Sequence, residues 1–214
     1  GLIGGITDTP EIRNIVQTKG DPSFKEKRFP HAAALARVGL PAGFTLEAAI
    51  FPKVNVSDLQ LSQFGGAVMW TLTDSVLQDF PVSLALKGFY NKTKLGVKQK
   101  VTNAALPGQT VDGRVVFDNS MMGGQLLVSK KLSVFEPYVG IGYAKAKGEV
   151  SVETDNVNVN GTIFAIPGQS GISEPTSSQL LAGLDIKLLF ISLGAEYQRS
   201  FKTSSYSGRL SFRF

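Results

Sequence analysis

The chain has 214 residues, of which 43% are hydrophobic and only 18% charged, with a net charge of +5. That length suits one domain, the charge is too sparse for a disordered protein, and there is ample apolar matter to bury. Cysteine is absent and His31 is the single histidine, which excludes a disulfide scaffold and Cys- or His-rich metal centres and leaves no cofactor to expect.

No window approaches the roughly 18 apolar residues that a membrane helix needs. The 23 glycines and 14 phenylalanines instead favour strands joined by turns. The first residue is Gly1, with neither an initiator Met nor a signal-peptide pattern, which reads as a processed or truncated chain. Residues 1–30 form an amino-terminal segment that supplies a first strand, a plug or a short helix. Thr9 suits the N-cap of such a helix and Pro10 its first position.

From His31 onward the chain alternates with the period of a strand. Ala34, Ala36 and Val38 oppose Arg37, and Phe44, Leu46, Ala48 and Ile50 oppose Thr45, Glu47 and Ala49. Phe64, Val68, Trp70 and Leu72 oppose Gln63, Gly65, Ala67 and Thr71; Val82, Leu84, Leu86 and Tyr90 oppose Ser83, Ala85, Lys87 and Asn91. Met122, Gly124, Leu126 and Val128 then face away from Gln125 and Ser129, and Val139, Ile141 and Tyr143 away from Gly140, Gly142 and Ala144. The last three strands share one design: Leu180 to Leu188 against Gln179, Leu181, Gly183, Asp185 and Lys187; Ile191, Leu193, Ala195 and Tyr197 against Glu196; and Tyr206, Leu210, Phe212 and Phe214 against Arg209 and Arg213. Nine candidate strands result.

Their connectors segregate by length. Gly39–Gly43, Thr73–Phe80, Lys131–Phe135 and Leu189–Phe190 are short, whereas Pro52–Ser62, Lys92–Phe117 and Gly148–Thr176 are long. Short turns at one end and long loops at the other are the habit of an outer-membrane barrel. The charges Arg37, Glu47, Lys87, Asp185, Lys187, Glu196, Arg209 and Arg213 all fall on the face opposite the apolar stripe, so in lipid they point into the lumen and form a polar network. If Glu196 and Arg209 face each other across the last hairpin, Ser192 and Arg213 do so as well. The expected fold is an all-β, antiparallel, up-and-down transmembrane barrel over residues 31–214. It has about ten strands, because single-chain barrels are even-numbered and nine is not. The tenth comes from residues 1–29 or was lost with a leader segment. A barrel of that size is filled by its own side chains or holds one small ligand.

The strand Tyr206, Leu210, Phe212, Phe214 resembles the carboxy-terminal assembly signal of bacterial outer-membrane barrels, from which it departs at Gly208. Leu35-Ala-Arg-Val-Gly-Leu-Pro, Pro81 to Tyr90, Leu127-Val-Ser-Lys-Lys and Tyr138-Val-Gly-Ile-Gly-Tyr together resemble an uncharacterised barrel family distantly similar to long-chain fatty-acid transporters. The resemblance implies an outer-membrane location with the termini on the periplasmic side. It also implies contact with the barrel-insertion machinery during assembly, with outer-membrane lipid, and with partner proteins in a membrane complex. The function expected is that of a non-catalytic structural subunit or narrow, plugged conduit for small or hydrophobic molecules.

Lys92, Lys94, Lys98 and Lys100 follow one strand on the long-loop side and are candidates to contact lipopolysaccharide phosphates; the bland alternative is a solvated hairpin. No aromatic residues interleave the basic ones, so nucleic acid is not expected as a partner. A soluble lipocalin-like carrier is the competing architecture. A lipid-modifying enzyme would need a nucleophile beside His31, which the sequence does not place there. Asp155, Asn156, Asn158 and Asn160 lack the acidic spacing of a calcium loop.

Overall fold

Apolar residues on one face and small or polar residues on the other favour extended chain. In the computed structural model such strands occupy most of the residues described, which are 1–8, 28–56, 59–77, 79–102, 110–154, 157–159, 162–164 and 170–212. In chain order they are β1 (Leu2–Asp8), β2 (Arg28–Gly39), β3 (Phe44–Val56), β4 (Leu59–Thr71), β5 (Ser83–Thr102), β6 (Thr110–Ser129) and β7 (Phe135–Thr154). The short β8 (Val157–Val159), β9 (Thr162–Phe164) and β10 (Ser170–Ser173) follow, then β11 (Thr176–Lys187), β12 (Ile191–Ser200) and β13 (Thr203–Phe212).

Strands β1 to β7 pair in sequence, β7 pairs with β11, and β12 and β13 continue the sheet. β13 then pairs antiparallel with β1, Leu2 opposite Leu210 and Ile6 opposite Tyr206, so ten strands close a barrel. The tenth strand that parity demanded is therefore β1. β8 and β9 make a separate small hairpin, and β10 extends the sheet beside the far half of β7. The helix expected at Thr9 and Pro10 lies outside the described residues, as do Arg213 and Phe214.

The two faces are those the alternation requires. Ile141, Tyr143 and Phe212 are 61%, 58% and 57% exposed on the outside, whereas the inward Leu181 is 1% exposed. Aromatic residues mark both edges of the outer apolar band. At the short-turn end Phe44 stacks on Trp70, with centroids 5.5 Å apart, and the indole N–H of Trp70 donates to Ser75 Oγ at 3.1 Å. Toward the opposite rim Tyr197 packs on Tyr206, centroids 5.2 Å apart.

Two features depart from the sequence expectations. Two connectors read as long are mostly strand: within Pro52–Ser62, β3 runs to Val56 and β4 begins at Leu59 directly opposite it, and within Lys92–Phe117, β5 and β6 are each 20 residues long and stay paired from Ser83–Ser129 to Thr102–Thr110. The polarity of the alternation reverses along them. Beyond Tyr90 the outward positions carry Lys92, Lys94 and Asp118, and the lumen-side positions carry Leu95, Val97, Val115 and Phe117. A period of two with inverted phase does not continue the apolar stripe, which is why it reads as loop.

The second departure is the last hairpin. It turns on two residues, Phe201 and Lys202, between the pair Ser200 and Thr203. Glu196 therefore faces Ser207, Gly194 faces Arg209 and Ser192 faces Ser211, two residues away from the expected register. Both turn residues have positive φ, 50° and 59°, as in the primed turns that match strand twist.

Side chains with a Cβ pay for that conformation, so Lys202→Gly should raise the unfolding free energy by an amount on the order of 1 kcal/mol, and Lys202→Val should lower it. Urea titration of the folded protein in detergent, followed by the fluorescence of the single tryptophan, checks both signs.

Candidate functional site: the lumen and the charged outer rim

The inward positions of seven strands bring the predicted network together. Arg37 on β2 and Glu47 on β3 are directly paired residues, and their side chains form an ion pair. Lys87 on β5 reaches the other oxygen of Glu47, Nζ to Oε2 2.6 Å, across the intervening β4. On the opposite wall Arg209 donates to both oxygens of Asp185, at 2.6 and 2.7 Å, across β12. Gly194 lies between them, and any side chain there would run into the Asp185 carboxylate and the guanidinium. Lys187 pairs with Glu136, which also accepts from Ser129 Oγ at 3.0 Å. Tyr138 donates its hydroxyl to Glu196 Oε2 at 2.7 Å.

The network thus holds four cations, Arg37, Lys87, Lys187 and Arg209, against four carboxylates, Glu47, Glu136, Asp185 and Glu196. Seven of these charges are ion-paired and Glu196 is held by the Tyr138 hydroxyl, as charges removed from bulk water require partners. The two walls meet: the space left among Arg37, Glu47, Lys87, Tyr138, Glu196 and Arg209 is about 90 Å³, room for a few water molecules.

Sequence reasoning did not include Glu136 and Tyr138. Both precede the first apolar residue recognised in their strand, but their even numbers put them on the face of Gly140 and Gly142, and that parity was the available signal. Tyr138 also explains a glycine. It sits opposite Gly183, and a Cβ on Gly183 would strike its ring and hydroxyl. Likewise Gly140 gives way to Leu127 and Leu181, at 2.6 and 2.7 Å from where its Cβ would be. These glycines relieve crowding inside a filled barrel; they do not line an open space. Beside them Gln125 donates to the buried Gln179 at 3.0 Å.

On the outside, Lys92 and Lys94 share Asp118, at 3.3 and 3.1 Å. Lys145 and Lys147 of β7 share Glu174, at 2.7 and 3.7 Å, and the hydrogen bond from Lys145 holds the Glu174 carboxyl below its ordinary pKa. Lys98 and Lys100 stand opposite Arg114 and Asp112 in the register, with side chains outside the described set. His31 is a residue of β2 paired with Gly5, and its side chain is likewise outside that set. Among the described residues no three acidic, His or Cys side chains cluster as a metal site would need.

A family of unknown function, DUF6588, matches residues 7–214. The chain belongs to that family. No curated protein sequence matches. Solved structures with some likeness include two of Ail, the attachment invasion locus protein of Yersinia pestis, one of them in complex with the heparin analogue sucrose octasulfate. Each is 12% identical and is covered to 96% by the whole of this chain, with TM-scores of 0.38 and 0.33. For this DUF6588 member, what the lumen can do is therefore read from its own residues.

Overpacking at the Tyr138 contact should be felt directly. Gly183→Val is expected to cost about 1–3 kcal/mol, and combining it with Tyr138→Ala should cost less than the sum of the two, because both act on one contact. Asp185→Ala leaves Arg209 half-buried without its partner and should cost about 3 kcal/mol or more. Urea titration of each variant in the same detergent measures these differences.

Proposed function

We propose that this protein is an integral outer-membrane barrel that does no catalysis and whose lumen is closed toward its short-turn end by its ion-paired network, so that it serves as a structural or surface-presenting subunit and not as an open pore. The observation that carries the reading is the ion pairing of Arg37 and Lys87 with Glu47 and of Arg209 with Asp185, with a residual space of about 90 Å³ among Arg37, Glu47, Lys87, Tyr138, Glu196 and Arg209. Membrane residence is supported by the outer face. Leu86, Leu126, Ile141, Leu180 and Leu193 are exposed there with an aromatic edge at each end, a surface that water would penalise at roughly 25 cal/mol per Å². A soluble lipocalin-like carrier has the opposite polarity, with its charges outside and its apolar side chains within.

The one-sided extension of β5, β6 and β7 beyond the other strands supports an orientation. The described chain ends, at Gly1 and Phe212, lie with the short turns, so that end is periplasmic and the β5–β7 extension stands outside the cell. β13, with Tyr206 and Phe212 outward and Leu210 in register with Leu193 and Leu2, is the strand the insertion machinery would handle. The outer lysines of β5 then face lipopolysaccharide headgroups as a diffuse field, since Asp118 already neutralises part of it. The reversed polarity of the extension, charged outside and apolar within, suits a sheet standing in water over the mouth of the barrel, where a partner or a hydrophobic molecule would meet it first.

In a planar bilayer the protein should show no steady openings, whereas Tyr138→Ala combined with Arg209→Ala should produce them; porin-sized openings of the unaltered protein would refute the closed lumen. Ile141→Arg, on the lipid face, should lower stability in liposomes by about 2–4 kcal/mol at mid-depth, while Gln125→Glu, on the lumen face directly opposite Lys87, should lower it far less. Urea titration of liposome-folded protein separates the two.

A further inference from the structure

The outer wall is not evenly covered. Two neighbouring rows of outward residues climb obliquely across β5, β6, β7, β11 and β12. One is Leu86, Leu126, Ile141, Leu180 and Arg199, each in register with the next. The row above it is Gly88, Gly124, Tyr143 and Ser178. Gly88 and Gly124 are direct partners without side chains, so the surface between the rows sinks to the backbone and leaves a groove of about 1230 Å³. Crossing five strands, it is about 19 Å long at the usual strand spacing, compared with about 15 Å for half of a bilayer's hydrocarbon core.

Its lower end lies among apolar side chains near Leu86. Its upper end opens at the rim, against Arg199 and the Phe201–Lys202 turn. Arg199 and Lys202 are exposed, and neither is in an ion pair among the described residues. In this they differ from Lys92, Lys94, Lys145 and Lys147, each of which shares a carboxylate. The turn that carries Lys202 holds two non-glycine residues at positive φ and is pinned to β11 by the hydrogen bond from Phe201 N–H to Ser177 Oγ at 2.7 Å.

We propose that this groove binds the lipid A part of lipopolysaccharide, with a phosphate held by Arg199 and Lys202 and an acyl chain lying along Leu180, Ile141 and Leu126 over the two glycines. The proposal rests on the outer-membrane reading above. Inside a bilayer, chain contact by itself discriminates little, because every lipid offers equally apolar tails. The selectivity therefore comes from the phosphate, which a guanidinium grips bidentately and an ammonium as a point charge, and the groove adds fit. Lys92 and Lys94 supply no comparable site, because their charge is already shared with Asp118.

The test is native mass spectrometry of the full chain refolded in detergent, titrated with purified bis-phosphorylated lipid A. One bound molecule per barrel is expected for the unaltered protein. Arg199→Gln with Lys202→Gln should weaken binding about tenfold or more, a loss of about 1.4 kcal/mol or greater. Gly88→Leu with Gly124→Leu should do the same by filling the groove. The new Cβ atoms meet nothing closer than 3.9 Å, so the barrel itself is undisturbed, as heat-modifiable migration on a gel will verify. Lys92→Gln with Lys94→Gln should bind as before, and dephosphorylated lipid A should bind the unaltered protein as weakly as bis-phosphorylated lipid A binds the double-Gln rim variant. Unchanged lipid A binding by both groove and rim variants of a detergent-requiring barrel overturns the site alone. A protein that stays soluble and monomeric without detergent overturns the membrane reading and the site with it.

Discussion

The pairing of β1 with β13 is the constraint on which everything else depends. A sheet of ten twisted strands has two edges of unpaired N–H and C=O groups, and in hydrocarbon each unsatisfied group costs several kcal/mol. Joining Leu2–Asp8 to Thr203–Phe212 removes both edges. Once the sheet is closed, every residue of the spanning region faces either the outside or a narrow inside, and the period of two assigns them. The apolar stripe goes outward and eight ionisable groups go inward. At that point geometry takes over from composition, because ten strands leave too little room for those side chains to remain solvated separately. They pair instead, across one or two strands, and the pairing fills the lumen.

The network is therefore a consequence of closure as much as a device in its own right. Its members are drawn from strands far apart in sequence. Arg209 reaches Asp185 across β12 directly over Gly194, and Lys87, opposite Met69, reaches diagonally across β4 to Glu47, opposite Ala67. Where an aromatic ring must fit, as at Tyr138, the neighbouring strand supplies Gly183. Glycine placement and charge placement are two aspects of the same packing problem. The outer glycines obey a different logic: Gly88 and Gly124 have open space around them, so nothing in the packing demands them, and the groove they leave is a feature of the lipid-facing surface.

Much of this was legible in the sequence. The side faced by seven of the eight predicted charges and the even strand number follow from periodicity and parity. What escaped has physical causes. Which charges pair depends on register, and register depends on turn length: reading the last turn as two residues longer moved Arg209 from Gly194 to Glu196. Glu136 was hidden because Pro137 and the adjacent turn mask the start of β7. The extension of β5 and β6 was hidden because alternation persists there with its sign reversed. The inner faces of those strands are apolar where the outside meets water, and an apolar stripe followed in one phase ends at Tyr90.

The central claim is the direction in which the two faces point, and a nitroxide scan of β11 in liposomes tests it most directly. With single spin labels at each position from Gln179 to Lys187, collision with oxygen, which concentrates in the bilayer interior, should rise and fall with a period of two. Maxima should fall at Leu180, Ala182, Leu184 and Ile186, and minima at Leu181, Gly183 and Asp185. Maxima at the odd-numbered positions would place the charges in lipid and contradict the account, and a flat profile would show that β11 does not cross the membrane.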